Sequence, residues 1–152
     1  MTPLRSALAE PFLPFPVLEG LLSPFGLQPF LEDYWEKRWL LVEANAPSRD
    51  ALRVPGWEAL TLPAFERDRR MVEVLSAPRG PEITEFGQVR EAFEKGTSIR
   101  ILNAQRVFEP LNAVCAALSL ELSHPVRANV YITPPNRQGL DPHVDDHDVL
   151  VV

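Results

Sequence analysis

Between Pro125 and Pro134 the chain alternates apolar and polar side chains without a break. Val126, Ala128, Val130 and Ile132 fall on one side, and Arg127, Asn129, Tyr131 and Thr133 on the other. A period of two belongs to a strand with one face in a core, and a strand needs partners. Two earlier stretches offer them. "RRMVEVLSAP" carries Met71, Val72, Val74 and Leu75 ahead of a proline stop. "TSIRILNA" sets Ile99 and Ile101 on one face and Ser98 and Arg100 on the other. After the turn-rich "PPNRQGLDP", "HVDDHDVLVV" reads as extended chain again and ends on the apolar run Val149 to Val152. A soluble chain seldom finishes inside a strand that has no partner. The expectation is that these residues are the front part of a longer domain.

Helical periodicity fills the space between the strands. "QPFLEDYWEKRWLLVEA" repeats Phe30, Leu31, Tyr34 and Trp35 at helical spacing, with Pro29 tolerated in a first turn, and "RWLLVEA" turns strand-like. "VPGWEALTLPAFER" predicts a short helix between Pro55 and Pro63. "EITEFGQVREAFEKG" predicts a loop and helix with Gly96 just past its end. "FEPLNAVCAALSLEL" is the plainest helix, with an apolar stripe of Leu111, Val114, Cys115 and Leu118.

At 152 residues the chain has the length of one domain. Its 16 prolines concentrate before Pro29 and predict an irregular, docked arm over residues 1–28. Those prolines also break every apolar stretch that could serve as a targeting segment. Nothing approaches the run of about 20 apolar residues of a membrane helix. A net charge of −6 offers no general attraction to nucleic acid or an anionic membrane. Arg67, Arg69 and Arg70 cluster, which reads as a solvated face. Cys115 is the only cysteine and reads as a small buried residue. Together these fit a reducing, cytoplasmic compartment.

Chemistry concentrates near the end. His143 and Asp145 are two apart; on a strand they point the same way, with Cα atoms about 6.5–7 Å apart. Bonds of roughly 2.0–2.2 Å can bring both to one ion. Val144 faces away. An imidazole and a carboxylate suit Fe(II), Mn(II), Co(II) or Zn(II). His147 is a tempting third ligand, but in an extended chain its Cα lies about 13 Å from that of His143, nearly in a row with the other two. His124 reads as a surface or capping residue, Asp141 as a turn former beside Pro142.

"ANVYITPPNRQGLDPHVDDHDVLVV" resembles the core of the JmjC-type ribosomal oxygenases. It supplies Asn129, Tyr131, Thr133, Pro134, Gln138, Gly139, His143, Asp145 and Asp146 in that family's order, and "FLEDYWEKRWLLVE" resembles its entry segment. The resemblance implies a mostly β fold with N-terminal helices: a double-stranded β-helix (jelly roll, cupin type) of which residues 29–152 are the first half. It implies Fe(II) and 2-oxoglutarate as cofactors, His143 and Asp145 as metal ligands, and Asn129 and Tyr131 lining the cofactor pocket. No catalytic side chain beyond the metal ligands is expected. Asp146 would help orient the loop. The third ligand and the 2-oxoglutarate lysine would lie past Val152, so these residues by themselves are expected to be inactive and poorly soluble.

The implied activity is hydroxylation of an amino-acid side chain in a protein, with a ribosomal protein as the partner. Relatives commonly dimerise through segments outside this sequence, which leaves a homodimer open. The family usually has an aromatic where this chain has Val144; that side chain faces away from the ion, so the change concerns side-chain fit. Two other readings stand beside this one: a cupin-fold Zn(II) or Mn(II) enzyme without redox chemistry, and a degenerate barrel that only binds a partner.

Overall fold

A computed structural model describes residues 17–43, 55–75 and 83–151. Residues 1–16 of the proline-rich stretch lie outside the described residues, as do the end of the first helix candidate, Ser76 to Pro78 and Val152.

The three predicted strands form one antiparallel sheet in chain order: β1 (Val72–Leu75), β2 (Ser98–Ile101) and β3 (Val130–Ile132). Val72 pairs with Ile101 and Ile101 with Val130; Val74 pairs with Ile99 and Ile99 with Ile132. These six side chains make the core face. The register puts Glu73, Arg100 and Tyr131 in one row on the opposite face. Burial alternates through the whole stretch from Val126 to Thr133, though only three of its residues are paired.

Two helices cover the core face. Helix α3 (Trp57–Arg67) buries Leu60, Thr61, Ala64 and Phe65. It does not stop at Pro63, as the sequence suggested, but runs through it. A proline inside a helix costs about 3 kcal/mol in a lost bond and a clash. Leu60 on one side and Phe65 on the other each recover about 1.5–3 kcal/mol by burial, and the Thr61 hydroxyl adds a bond to the Trp57 carbonyl at 2.6 Å. Helix α4 (Phe86–Glu94) buries Val89. Gln88 Oε1 accepts from the Thr84 and Glu85 N–H groups at its start, at 2.8 and 3.0 Å. As predicted, Gly96 follows its end, at φ 94°. The main core is therefore Leu60, Ala64, Phe65, Met71, Val72, Val89, Ile99, Ile101 and Ala104.

A second core gathers at the N-terminal side. Within the proline-rich stretch, expected to be irregular, Val17–Leu22 forms a helix. Helix α1 (Val17–Leu22) buries Val17, Leu18, Leu21 and Leu22 against Leu118. Leu118 belongs to α5 (Glu109–Leu122), the predicted helix, whose Leu111 touches the first core. Glu121 of α5 locks α1 in place, its two carboxylate oxygens accepting from the N–H groups of Val17 and Leu18 at 2.6 and 2.9 Å. Ser119 ties α5 to the chain entering β3: its hydroxyl donates to the Cys115 carbonyl at 2.6 Å and accepts from Val126 N–H at 2.9 Å.

Helix α2 (Leu27–Asp33) is shorter than its periodicity predicts. It ends at Tyr34, which leaves helical backbone at φ −120°, and Glu36 then takes a left-handed one, φ 55°. Tyr34 and Trp35 pack edge-on against Phe25 and Phe30 instead of extending the helical stripe. Lys37 and Arg38 donate to the freed carbonyls of Glu32 and Asp33. Beyond this end the strand-like stretch forms no strand among the described residues. Leu40 and Val42 turn into the second core, while Trp39 and Leu41 are 84% and 78% exposed.

Among the described residues the β part of the expected fold is one small sheet, with helices before and between its strands. Five α-helices accompany three strands of 4, 4 and 3 residues. The tail, expected to be extended, bends at Pro142 and at Asp146 and His147 and forms no strand among the described residues, and every residue from Asp141 to Val151 is exposed. Antiparallel strands exist only where a neighbour takes up their backbone bonds. A three-stranded sheet covered on one side is compatible with part of a jelly roll and does not close one.

Candidate functional site

The turn after β3 carries the chain to the His and Asp residues. Pro134 is buried, and Gly139 follows where space is scarce: a Cβ there would lie 3.0 Å from Thr133 Oγ1 and 3.8 Å from Ser98 Oγ. The Ser98 hydroxyl donates to Thr133 Oγ1 at 2.9 Å. Gln138 and Gly139 therefore lie over this end of the sheet, on the face shared with Arg100 and Tyr131.

His143 and Asp145 come together. The imidazole Nε2 is 3.8 Å from Asp145 Oδ2, and Val144 between them is 97% exposed. The other ring nitrogen, Nδ1, is 2.8 Å from the backbone carbonyl of Asp141. A carbonyl only accepts, so Nδ1 carries the hydrogen, and in the neutral ring Nε2 keeps its lone pair. That lone pair is on the nitrogen nearest the carboxylate. Metal-bound histidines are commonly held by a backbone acceptor on the second nitrogen in this way. Two bonds of roughly 2.0–2.2 Å can span 3.8 Å, so both atoms are within reach of one divalent ion. The sequence did not foresee the part played by Asp141, read there as a turn former. Nothing in a residue's identity marks its backbone carbonyl as a hydrogen-bond partner.

His147 does not join them. Its Nδ1 lies 3.1 Å from Asp146 Oδ1. That hydrogen bond, helped by Asp146's own backbone and by His147 charge, holds the Asp146 carboxyl below the usual range. Among the described residues no group of three His, Cys, Asp or Glu side chains gathers closely enough to hold a metal. His124 is exposed next to Ser123, the α5 cap. Cys115 is buried, and burial pushes its thiol up, away from reactivity.

Asn129 and Tyr131 are at β3. Asn129 Oδ1 accepts from the Asn103 N–H at 3.1 Å, where Asn103 holds a left-handed backbone. Tyr131 is 48% exposed and lies beside Arg100, whose guanidinium carbon is 5.9 Å from the ring centroid. Arg100 Nε and Nη2 both donate to Glu73 Oε2, the former at 2.8 Å. Burial works against the Arg100 charge, yet Tyr131 and Glu73 outweigh it and raise its pKa. Periodicity assigns Arg100 only to a polar face; that Glu73 stands opposite it follows from the strand register.

No helix among the described residues is long and apolar enough to cross a membrane. Residues 100–152 match the JmjC domain family. The chain is 32% identical over 149 residues to the bifunctional lysine-specific demethylase and histidyl-hydroxylase NO66 of Branchiostoma floridae, covering 90% of this chain and 24% of that protein. The protein of the same name from Drosophila erecta is 32% identical over 151 residues, 22% of its length. That from Dictyostelium discoideum is 26% identical over 145 residues, 28% of its length. The chain thus spans about a quarter of the length of these curated relatives.

Proposed function

We propose, from the premise that the chain belongs to the JmjC-type ribosomal oxygenase family, that it contributes part of the active site of an Fe(II)- and 2-oxoglutarate-dependent protein hydroxylase. The observation that carries the proposal is the His143–Asp145 pair: 3.8 Å apart, with the imidazole turned by the Asp141 carbonyl so that Nε2 presents its lone pair. His143 Nε2 and an Asp145 oxygen are the two protein ligands supplied here. When bound, iron with 2-oxoglutarate would supply the activation of dioxygen for C–H hydroxylation, one oxygen atom going to the substrate and the other to the succinate released with carbon dioxide.

The chain's own residues have simpler tasks. The Asp141 carbonyl keeps the Nδ1 proton in place and so fixes the tautomer that can bind metal. Asn129 and Tyr131 line the cofactor side, on the sheet face turned away from the core. The Ser98–Thr133 bond and the tightly seated Gly139 fix the turn that delivers His143. The relatives' name speaks of histidyl hydroxylation and lysine demethylation. For this chain the proposed substrate is a side chain of a protein, a ribosomal protein first among candidates, met in the cytoplasm.

The test is succinate formation by the full-length protein. It should require both Fe(II) and 2-oxoglutarate, and His143→Ala and Asp145→Ala should each abolish it. Turnover that ignores 2-oxoglutarate but needs Zn(II) or Mn(II) would replace this reading with a non-redox cupin enzyme. Metal-independent partner binding without turnover would make it a binding module. Ribosomal proteins from cells with and without the gene should differ by the mass of one oxygen; equal masses would remove the ribosomal assignment.

A further inference from the structure

We propose that Glu73 is a positioning residue: it holds Arg100 against the Tyr131 ring and thereby fixes where the Tyr131 hydroxyl points. The inference rests on the reading above in which Tyr131 lines the cofactor pocket. Its observation is a single row across all three strands. Glu73 pairs in register with Arg100, and Arg100 with Tyr131, all on the face opposite the core. Two donors of the Arg100 guanidinium converge on one Glu73 oxygen. A long side chain with several rotatable bonds is held at both ends of its reach: by its own strand and by that carboxylate. What remains of the guanidinium lies over the Tyr131 side, 5.9 Å from the ring centroid.

The side chains of Arg100 and Glu73 are 30% and 32% exposed. An ion pair this sheltered keeps its geometry better than one in open solvent. The other surface pairs differ. Arg70 and Asp68 are near neighbours in sequence, Lys95 and Glu91 are one helical turn apart, and Arg90 and Glu58 join helices α4 and α3, with Arg70 90%, Lys95 70% and Arg90 51% exposed. The Glu73–Arg100 pair alone among these joins two strands and abuts a residue proposed for the site. Without Glu73, Arg100 is free to leave the row and the Tyr131 phenol loses its fixed neighbour.

The experiment is a double-mutant cycle on the full-length protein, read as 2-oxoglutarate affinity in the presence of redox-silent Mn(II) by tryptophan fluorescence. Glu73→Ala should weaken affinity about tenfold, within the coupling range of residues in contact. Glu73→Gln, which keeps an oxygen for both Arg100 donors, should recover most of that loss. In a Tyr131→Phe background Glu73→Ala should cost nothing further, because the hydroxyl it aims is gone. A merely structural Glu73 would lower the melting temperature and add its full effect in that background; either full additivity or an unchanged affinity in Glu73→Ala overturns the proposal. Failure of the unmutated protein to bind 2-oxoglutarate overturns the functional reading first, and this inference with it.

Discussion

Ile99→Ala tests whether the sheet carries the site. Ile99 is fully buried in the central strand, with Val74 beside it on β1 and Ile132 on β3. The substitution removes three carbons. At about 0.8 kcal/mol per buried methylene the transfer loss is roughly 2.4 kcal/mol. Ile99 shares its core with Leu60, Val89 and Ile101, each nearly or fully buried, so collapse is limited and a cavity cost adds to the loss. The expected total is about 3–4 kcal/mol, inside the range for large-to-small core changes. With a urea slope of about 2 kcal/mol/M, the unfolding midpoint should fall by roughly 1.5–2 M. The control is Val144→Ala, 97% exposed, which should move stability by less than about 0.5 kcal/mol. Circular dichroism and tryptophan fluorescence should report the same midpoint. If Ile99→Ala cost under about 1 kcal/mol, or no more than Val144→Ala, the sheet would not be the core described here.

Gly96→Ala should destabilise by about 1–2 kcal/mol, since φ there is 94° and the new Cβ would stand 2.5 Å from Arg137 Nε. Gly87→Ala, inside α4 with nothing within 4 Å, should instead stabilise by about 0.5–1 kcal/mol; thermal melts of the two compare the signs. Glu121→Ala removes the acceptor for two backbone N–H groups of α1 and should cost about 1–2 kcal/mol, with hydrogen exchange in Val17–Leu22 accelerating before that in β2. Acid titration should expose Asp68: its carboxyl is held below the usual value, first by the Arg70 side chain. A lowered folded pKa stabilises above the unfolded value, 3.8, and that contribution is lost as pH falls through the lower folded one. Arg70→Met should therefore make the fall in stability below pH 3.8 shallower, and an unchanged slope would refute the pairing.

Much of the local structure was written in side-chain periodicity. The strands at Val72, Ser98 and Val130, the helix over Glu109–Leu122 and the glycine after α4 follow from patterns of two and 3.6 and from φ preferences within a few residues. Those patterns misjudged ends. They stopped α3 at Pro63, because burial at Leu60 and Phe65 is decided by elements distant in sequence, and prolonged α2 past Tyr34, because helical spacing does not register the turn that sets Tyr34 and Trp35 against nearby Phe25 and Phe30. The spacing of His143 and Asp145 marked the pair proposed to bind metal, since two side chains two apart can meet without help from elsewhere. Which ring nitrogen faces Asp145 could not be read that way: it depends on where the Asp141 carbonyl lies once the chain has turned. The row of Glu73, Arg100 and Tyr131 depends still more on tertiary structure. Its members come from three strands, and only the register of the sheet sets them side by side.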